Sequence, residues 1–165
     1  MKDARKTGKN RFPFTGQQVY VSVDDGSVPD LVLAYDSTVE RWSRHDGHLA
    51  WSAGVASPTL AEAIRGRIYL TTALGVVGLD GATGTQLWES TGLGVPQALM
   101  TDGRHILVSY GGTAESGPGF LVAYDPRTGH EDFRVGLPDG IDQISQDNHT
   151  LLGLSNVTGD SVELG

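Results

Sequence analysis

The chain has 165 residues, 38% of them hydrophobic, with 23 glycines and no cysteine. That suffices for one domain of ordinary size with its own apolar core, and it excludes a disulfide framework and any cysteine-ligated zinc or iron–sulfur site. Residues 1–11 carry five basic side chains against Asp3 alone (net +4), so a total of −8 leaves −12 on the remainder, the wrong sign for general nucleic-acid binding.

Residues 1–17 read as a flexible basic segment, with Lys2, Arg5, Lys6, Lys9 and Arg11 solvated. No apolar h-region follows it, so no signal peptide is expected, and no stretch reaches the roughly 18 apolar residues of a membrane span. Residues 18–165 read as β-repeats. Val19 to Val23 is expected to be the outer strand of one unit, and Leu31-Val32-Leu33-Ala34-Tyr35 the inner strand of the next. Asp46-Gly47 signals a hairpin, and Trp51 follows Gly47 by four. His45 and His48 flank that turn with no third ligand nearby, which is turn chemistry and not a metal site.

The clearest copy lies at residues 67–88. Arg67 to Thr72 is a strand, Gly75 to Asp80 another, Gly81-Ala82-Thr83-Gly84 a turn, and Thr85 to Trp88 opens a third strand. The order returns with His105 to Tyr110, Phe120 to Asp125, the turn Pro126-Arg127-Thr128-Gly129, and His130 to Phe133. Asp80, Gly84 and Trp88 have counterparts 45 residues on in Asp125, Gly129 and Phe133. In the first copy two tryptophans compete, Trp42 and Trp51; the even spacing to the following strand selects Trp51.

Between each aromatic and the next strand lies one more short apolar segment: Pro58 to Ile64, Pro96 to Thr101, and Ile141 to Gln146. Thr59 to Ile64 has helical propensity, but the repeat makes it a strand. Each segment is expected to be the fourth strand of its unit, giving units over about 31–64, 67–101, 104–146 and an incomplete one over 149–165. Four strands in 37–45 residues is propeller spacing. The predicted class is therefore all-β, a partial β-propeller of four-stranded antiparallel blades, about three whole blades with parts of two more. Gly111 to Pro118 is an insertion in the third unit and is expected to be a contact loop.

Gly78-Leu79-Asp80-Gly81-Ala82-Thr83-Gly84-Thr85-Gln86-Leu87-Trp88 resembles the tryptophan-docking motif of the pyrroloquinoline-quinone-like propellers: a small residue, Asp three positions before Thr, then Gly, and Trp four beyond it. Ala123 to Phe133 matches with phenylalanine for tryptophan, while Arg41 to Trp51 keeps mainly Gly47 and Trp51. The resemblance implies that Trp51, Trp88 and Phe133 dock successive blades. Asp80, Asp125, Thr83, Thr128, Gly47, Gly84 and Gly129 would shape the turns that receive them.

Family members include quinone-dependent dehydrogenases with an axial quinone and metal, outer-membrane assembly lipoproteins and extracytoplasmic sensor domains. The dehydrogenases carry a vicinal cysteine pair beside the quinone, which a chain without cysteine cannot supply. The resemblance thus implies a non-catalytic binding scaffold with no cofactor, for a protein or small-ligand partner, outside the cytoplasm of a bacterium. A fragment of a quinone- and calcium-dependent dehydrogenase is the alternative. Self-association to complete a ring is a further expectation, since each blade relies on its neighbours for burial.

Arg67, Arg104 and His105 are expected where the outer strand of one blade passes into the inner strand of the next, at the channel mouth. There they would contact an anionic ligand. The acidic stretches Asp24 to Ser27 and Asp139 to Asp142 fit turn chemistry better than calcium binding. Asn148-His149-Thr150 and Asn156-Val157-Thr158 fit the glycosylation sequon, with no other sign of a eukaryotic secretory route.

Overall fold

A computed structural model describes residues 16–112, 117–141, 143–147, 150–155, 159 and 161–163. The basic segment 1–15, loop residues 113–116 and both sequon asparagines lie outside the described residues. Every regular element is a strand: β1 Gln17–Gln18, β2 Tyr20–Asp24, β3 Leu31–Tyr35, β4 Val39–Ser43, β5 Leu49–Ala53, β6 Leu60–Ile64, β7 Arg67–Thr72 and β8 Gly75–Asp80. The chain continues through β9 Gln86–Thr91, β10 Pro96–Thr101, β11 Ile106–Tyr110, β12 Phe120–Tyr124, β13 Glu131–Gly136, β14 Gln143–Asp147, β15 Thr150–Leu154 and β16 Ser161–Glu163. No helix among the described residues is long and apolar enough to cross a membrane.

The strands form four sheets, ordered β1-β3-β4-β5, β2-β6-β7-β8-β9, β10-β11-β12-β13 and β14-β15-β16. Within each, consecutive strands of the meander pair antiparallel. The partial propeller is therefore as the sequence predicts, but each sheet begins one strand earlier than the repeat unit drawn from it. The segments 60–64 and 96–101 do not close the preceding sheets. They pair with β7 and β11 and open the next ones. Two tight turns cause this. Arg65 and Gly66 both take positive φ (52° and 76°), the hairpin geometry that returns β6 directly into β7. Asp102-Gly103 does the same between β10 and β11, with Gly103 at φ 82°.

Two corrections follow. The strands at 31–35, 67–72 and 106–110 are each second in the antiparallel meander and not innermost. Residues 17–24 are not an outer strand of a preceding unit: β1 pairs with β3, and the chain then crosses to lie parallel to β6 as β2.

Three apolar layers fill the spaces between successive sheets. Alternation along each strand divides the side chains between two layers. Ile68 and Leu70 face the first layer with Leu31, Leu33, Trp51 and Val77. Tyr69 faces the second with Trp88, Ile106, Val108 and Tyr124. Leu107 and Leu121 face the third with Leu137 and Ile144. A buried strand reads as a continuous apolar run, as Leu31 to Ala34 and Ile106 to Val108 do.

The docking residues join these layers. The Trp51 indole N–H donates to Gly81 O (3.0 Å), and the Trp88 N–H to Pro126 O (3.2 Å). Each indole lies on the turn of the following sheet. A Cβ on Gly84 would sit 2.6 Å from the Trp51 ring, and one on Gly129 2.5 Å from the Trp88 ring. Both glycines also hold φ near +70° (73° and 70°). The turns are built around their aspartates. Asp80 Oδ1 accepts the amides of Ala82 and Thr83 and the Thr83 hydroxyl, and Asp125 Oδ1 does the same for Arg127 and Thr128. The Thr83 amide first of all, and the Arg127 amide likewise, hold these carboxyls below the usual aspartate range. Gly47 closes the first turn on Ser43, with φ 73°. Phe133 differs: it is 43% exposed and meets the His105 ring edge-on at 5.4 Å.

Among the buried polar side chains of the described residues, Glu62 is the one that carries a carboxyl group. Glu62, in the middle of β6, is fully buried with neither carboxylate oxygen hydrogen-bonded. Burial pushes its pKa up to about 7, and the neighbouring Ser22 hydroxyl gives its proton to Ala61 O.

Two measurements check this account. Trp88→Ala should cost about 3–5 kcal/mol by chemical denaturation. Gly129→Ala should be nearly as costly in the native background, yet cost only about 1 kcal/mol of φ strain once Trp88 is alanine. Additive costs would show that the indole does not dock there. For Glu62 the neutral form is favoured by folding, so its stability is full below pH 4.5, the unfolded value, and is lost as pH rises through about 7. A loss on the order of 3 kcal/mol is expected across that window, and Glu62→Gln should flatten it in a denaturation series against pH.

Candidate functional site

The hairpins that fix sheet order also gather charge. The β6–β7 turn, the β10–β11 turn and the β12–β13 turn meet at one end of the second and third sheets. They enclose a groove of about 200 Å³ lined by Arg65, Arg67, Arg104, His105 and Arg127. Beyond residue 15 the sequence has seven arginines and no lysine. Four of those seven line this groove, so an acidic body concentrates its cationic side chains at one place.

The walls are rigid. The Tyr69 hydroxyl donates to Pro126 O (3.0 Å), beside the carbonyl's contact with Trp88. The Arg65 guanidinium donates to Gly103 O (2.8 Å), tying one sheet's hairpin to the next. Asp102 accepts the amides of Arg104 and His105, and its second oxygen lies 2.8 Å from His105 Nδ1. Burial opposes the Asp102 charge, but His105 and these amides hold its carboxyl below the usual range. His105 Nε2 faces Asp132 at 3.6 Å. Among the described residues Arg67, Arg104 and Arg127 make no ion pair with a carboxylate; Asp80, opposite Arg67 in register, and Asp125, beside Arg127, are committed to their own turns. The groove can therefore take one or two carboxylate or phosphate groups through charge-assisted hydrogen bonds.

The structure brings together the three ligand residues expected from sequence, but in another setting. Arg67, Arg104 and His105 stand at hairpins inside two sheets and not at crossovers between sheets. Arg65 and Arg127 were not foreseen. Arg127 occupies a variable position of the docking motif, and Arg65 reads as an ordinary strand-end charge. The acidic stretch at Asp24 to Ser27 forms a turn: Asp24 and Asp25 accept the amides of Gly26 and Ser27. Asp142 lies outside the described residues.

A second concavity, a cleft of about 570 Å³, runs along β2, β6, β10 and β14, with Glu62 in its wall. Sequence reading missed it, because a lone glutamate in a short strand looks like a solvent-facing residue.

Comparisons with known proteins agree with this architecture. BamB from Moraxella catarrhalis superposes with a TM-score of 0.58 at 21% identity, covering 87% of this chain and 51% of that one. The quinohemoprotein alcohol dehydrogenase ADHIIG from Pseudomonas putida gives 0.58 at 16% identity over 75% of this chain and 26% of that one. The quinohemoprotein alcohol dehydrogenase of Comamonas testosteroni gives 0.56 at 17% identity, covering 73% and 21%. At these identities the likeness is one of fold, and the chain spans about half the length of the BamB structure. No curated protein matches in sequence. The profile described as outer membrane protein assembly factor BamB matches residues 4–149, and the chain accordingly belongs to that family of pyrroloquinoline-quinone-like β-propeller repeats.

Proposed function

We propose that this chain is a non-catalytic binding domain whose arginine-lined groove receives an acidic segment of a partner protein. The observation that carries this reading is the convergence of Arg65, Arg67, Arg104 and Arg127 at the seam of two docked sheets. A flexible loop would lose entropy on holding several guanidinium groups together. Here hairpins with fixed φ and anchored carbonyls present them, and preorganisation lowers the cost of binding. The net charge of −8 repels acidic partners elsewhere on the surface, which favours one docking orientation.

The family description supports a role in assembling other proteins and a location outside the cytoplasm. The dehydrogenase alternative has less behind it. The chain has no cysteine for the pair beside the quinone, and among the described residues no group of three histidine or acidic side chains is placed to hold a metal ion. The described ends of the insertion between β11 and β12, residues 111–112 and 117–118, lie at the opposite end of that sheet from the groove, and a contact made there would be separate.

Arg104→Glu combined with Arg127→Glu tests the reading, since both side chains are exposed and neither holds a sheet together. Binding of a glutamate-rich fluorescent peptide should weaken at least tenfold, and wild-type affinity should fall steeply with salt. An unchanged affinity in a variant with native circular dichroism would remove the groove as the docking surface.

A further inference from the structure

The cleft along β2, β6, β10 and β14 carries a different chemistry from the arginine groove. Its wall contains one charged side chain, Glu62, and no basic residue. Glu62 is fully buried, and both its oxygens lack a hydrogen-bond partner. Buried carboxyl groups are ordinarily paired or hydrogen-bonded, so an orphaned one beside a cavity marks an unfilled place for donors. The polar groups available around the cleft offer oxygen: the hydroxyls of Tyr20, Ser22 and Ser145 and the side-chain amide of Gln97, while the Thr101 hydroxyl is taken up by His105 O and the Gly103 amide. The rest of the wall is apolar, with Leu60, Leu99 and Ile144.

This combination selects among cations. A divalent metal bound by protein oxygens wants several carboxylates, and among the described residues no group of three acidic or histidine side chains is placed to hold a metal ion. A guanidinium wants two acceptors in a plane opposite its fork. A primary ammonium carries one charge and three N–H donors, which a single carboxylate and neighbouring hydroxyl and amide oxygens can satisfy. Its alkyl chain would lie along the apolar wall. The volume falls within the range of small-molecule sites.

We infer that this cleft binds a primary alkylammonium group, of a free aliphatic amine or of a lysine side chain, with Glu62 as its counter-ion. Ionisation of Glu62 then accompanies binding. Around it Tyr69 faces from β7 in direct register, and Tyr20 and Asp24 come from β2, with Asp24 engaged by the Gly26 amide. Neither β10 nor the described side chains of β14 bring an ionisable group.

Calorimetric titration of the whole chain with n-pentylammonium chloride tests this, with 1-pentanol as the uncharged control and Nα-acetyl-lysine amide as the peptide surrogate. Saturable binding of an ammonium probe is expected near pH 8.5, about thirtyfold weaker near pH 5.5 where the competent ionised fraction is small. Pentanol should not bind, and Glu62→Gln should abolish the signal. Tighter binding of pentylammonium assigns the site to free amines, and tighter binding of the lysine derivative to a peptide side chain. Binding that survives Glu62→Gln, or no binding of either ammonium probe at millimolar concentration, overturns the inference. A readout independent of that variant is the carbon NMR titration of Glu62. Saturating amine should move its midpoint to lower pH, and an unmoved midpoint likewise refutes the assignment.

Discussion

The structure depends on a plate and a glycine. The Trp51 and Trp88 indoles each lie over a turn of the following sheet, donate their one N–H to a carbonyl there, and rest on a residue with no side chain. Removing the indole would leave the turn uncovered, and adding a Cβ beneath it would lift the plate. Because the receiving turn is itself shaped by an aspartate, the hydrogen bonds of one sheet determine how well the preceding one docks. Burial, turn chemistry and sheet spacing are thus one coupled arrangement, as in other repeat architectures where an isolated unit has too little to bury.

The same coupling positions the surface. Pro126 O accepts from both Trp88 and Tyr69, and its neighbour Arg127 stands in the groove. A docking turn therefore serves twice, as the seat of an indole and as the mount of a guanidinium. Glu62 is the opposite case. It weakens the fold it sits in, and a group retained at such a cost is the kind found where something is bound.

The repeat and the spacing of its turn residues and of Trp51 and Trp88 were legible in the sequence, because glycine, aspartate and tryptophan at fixed spacing have few other uses; Phe133, given the same role by its position, stands 43% exposed. The grouping of strands into sheets was less so. Leu60-Ala61-Glu62-Ala63-Ile64 is short, alanine-rich and lacks β-branched residues before Ile64, and Arg65-Gly66 is an unusual two-residue turn because arginine seldom takes positive φ. Asp102-Gly103 was a readable hairpin signal, and it alone would have joined β10 to β11. The groove was half legible: its three residues could be chosen by position, but not the two that a hairpin and a motif wildcard bring in from neighbouring strands. Nothing in the sequence distinguishes Glu62 from a surface glutamate, since burial there arises from the approach of β2 and β10.

The absence of lysine beyond residue 15 has a practical side. Amine-directed chemistry, whether acetylation, ubiquitin transfer, surface coupling or cross-linking, is confined to Lys2, Lys6, Lys9 and the amino terminus. The propeller can be tethered through that end with its arginine seam left chemically untouched.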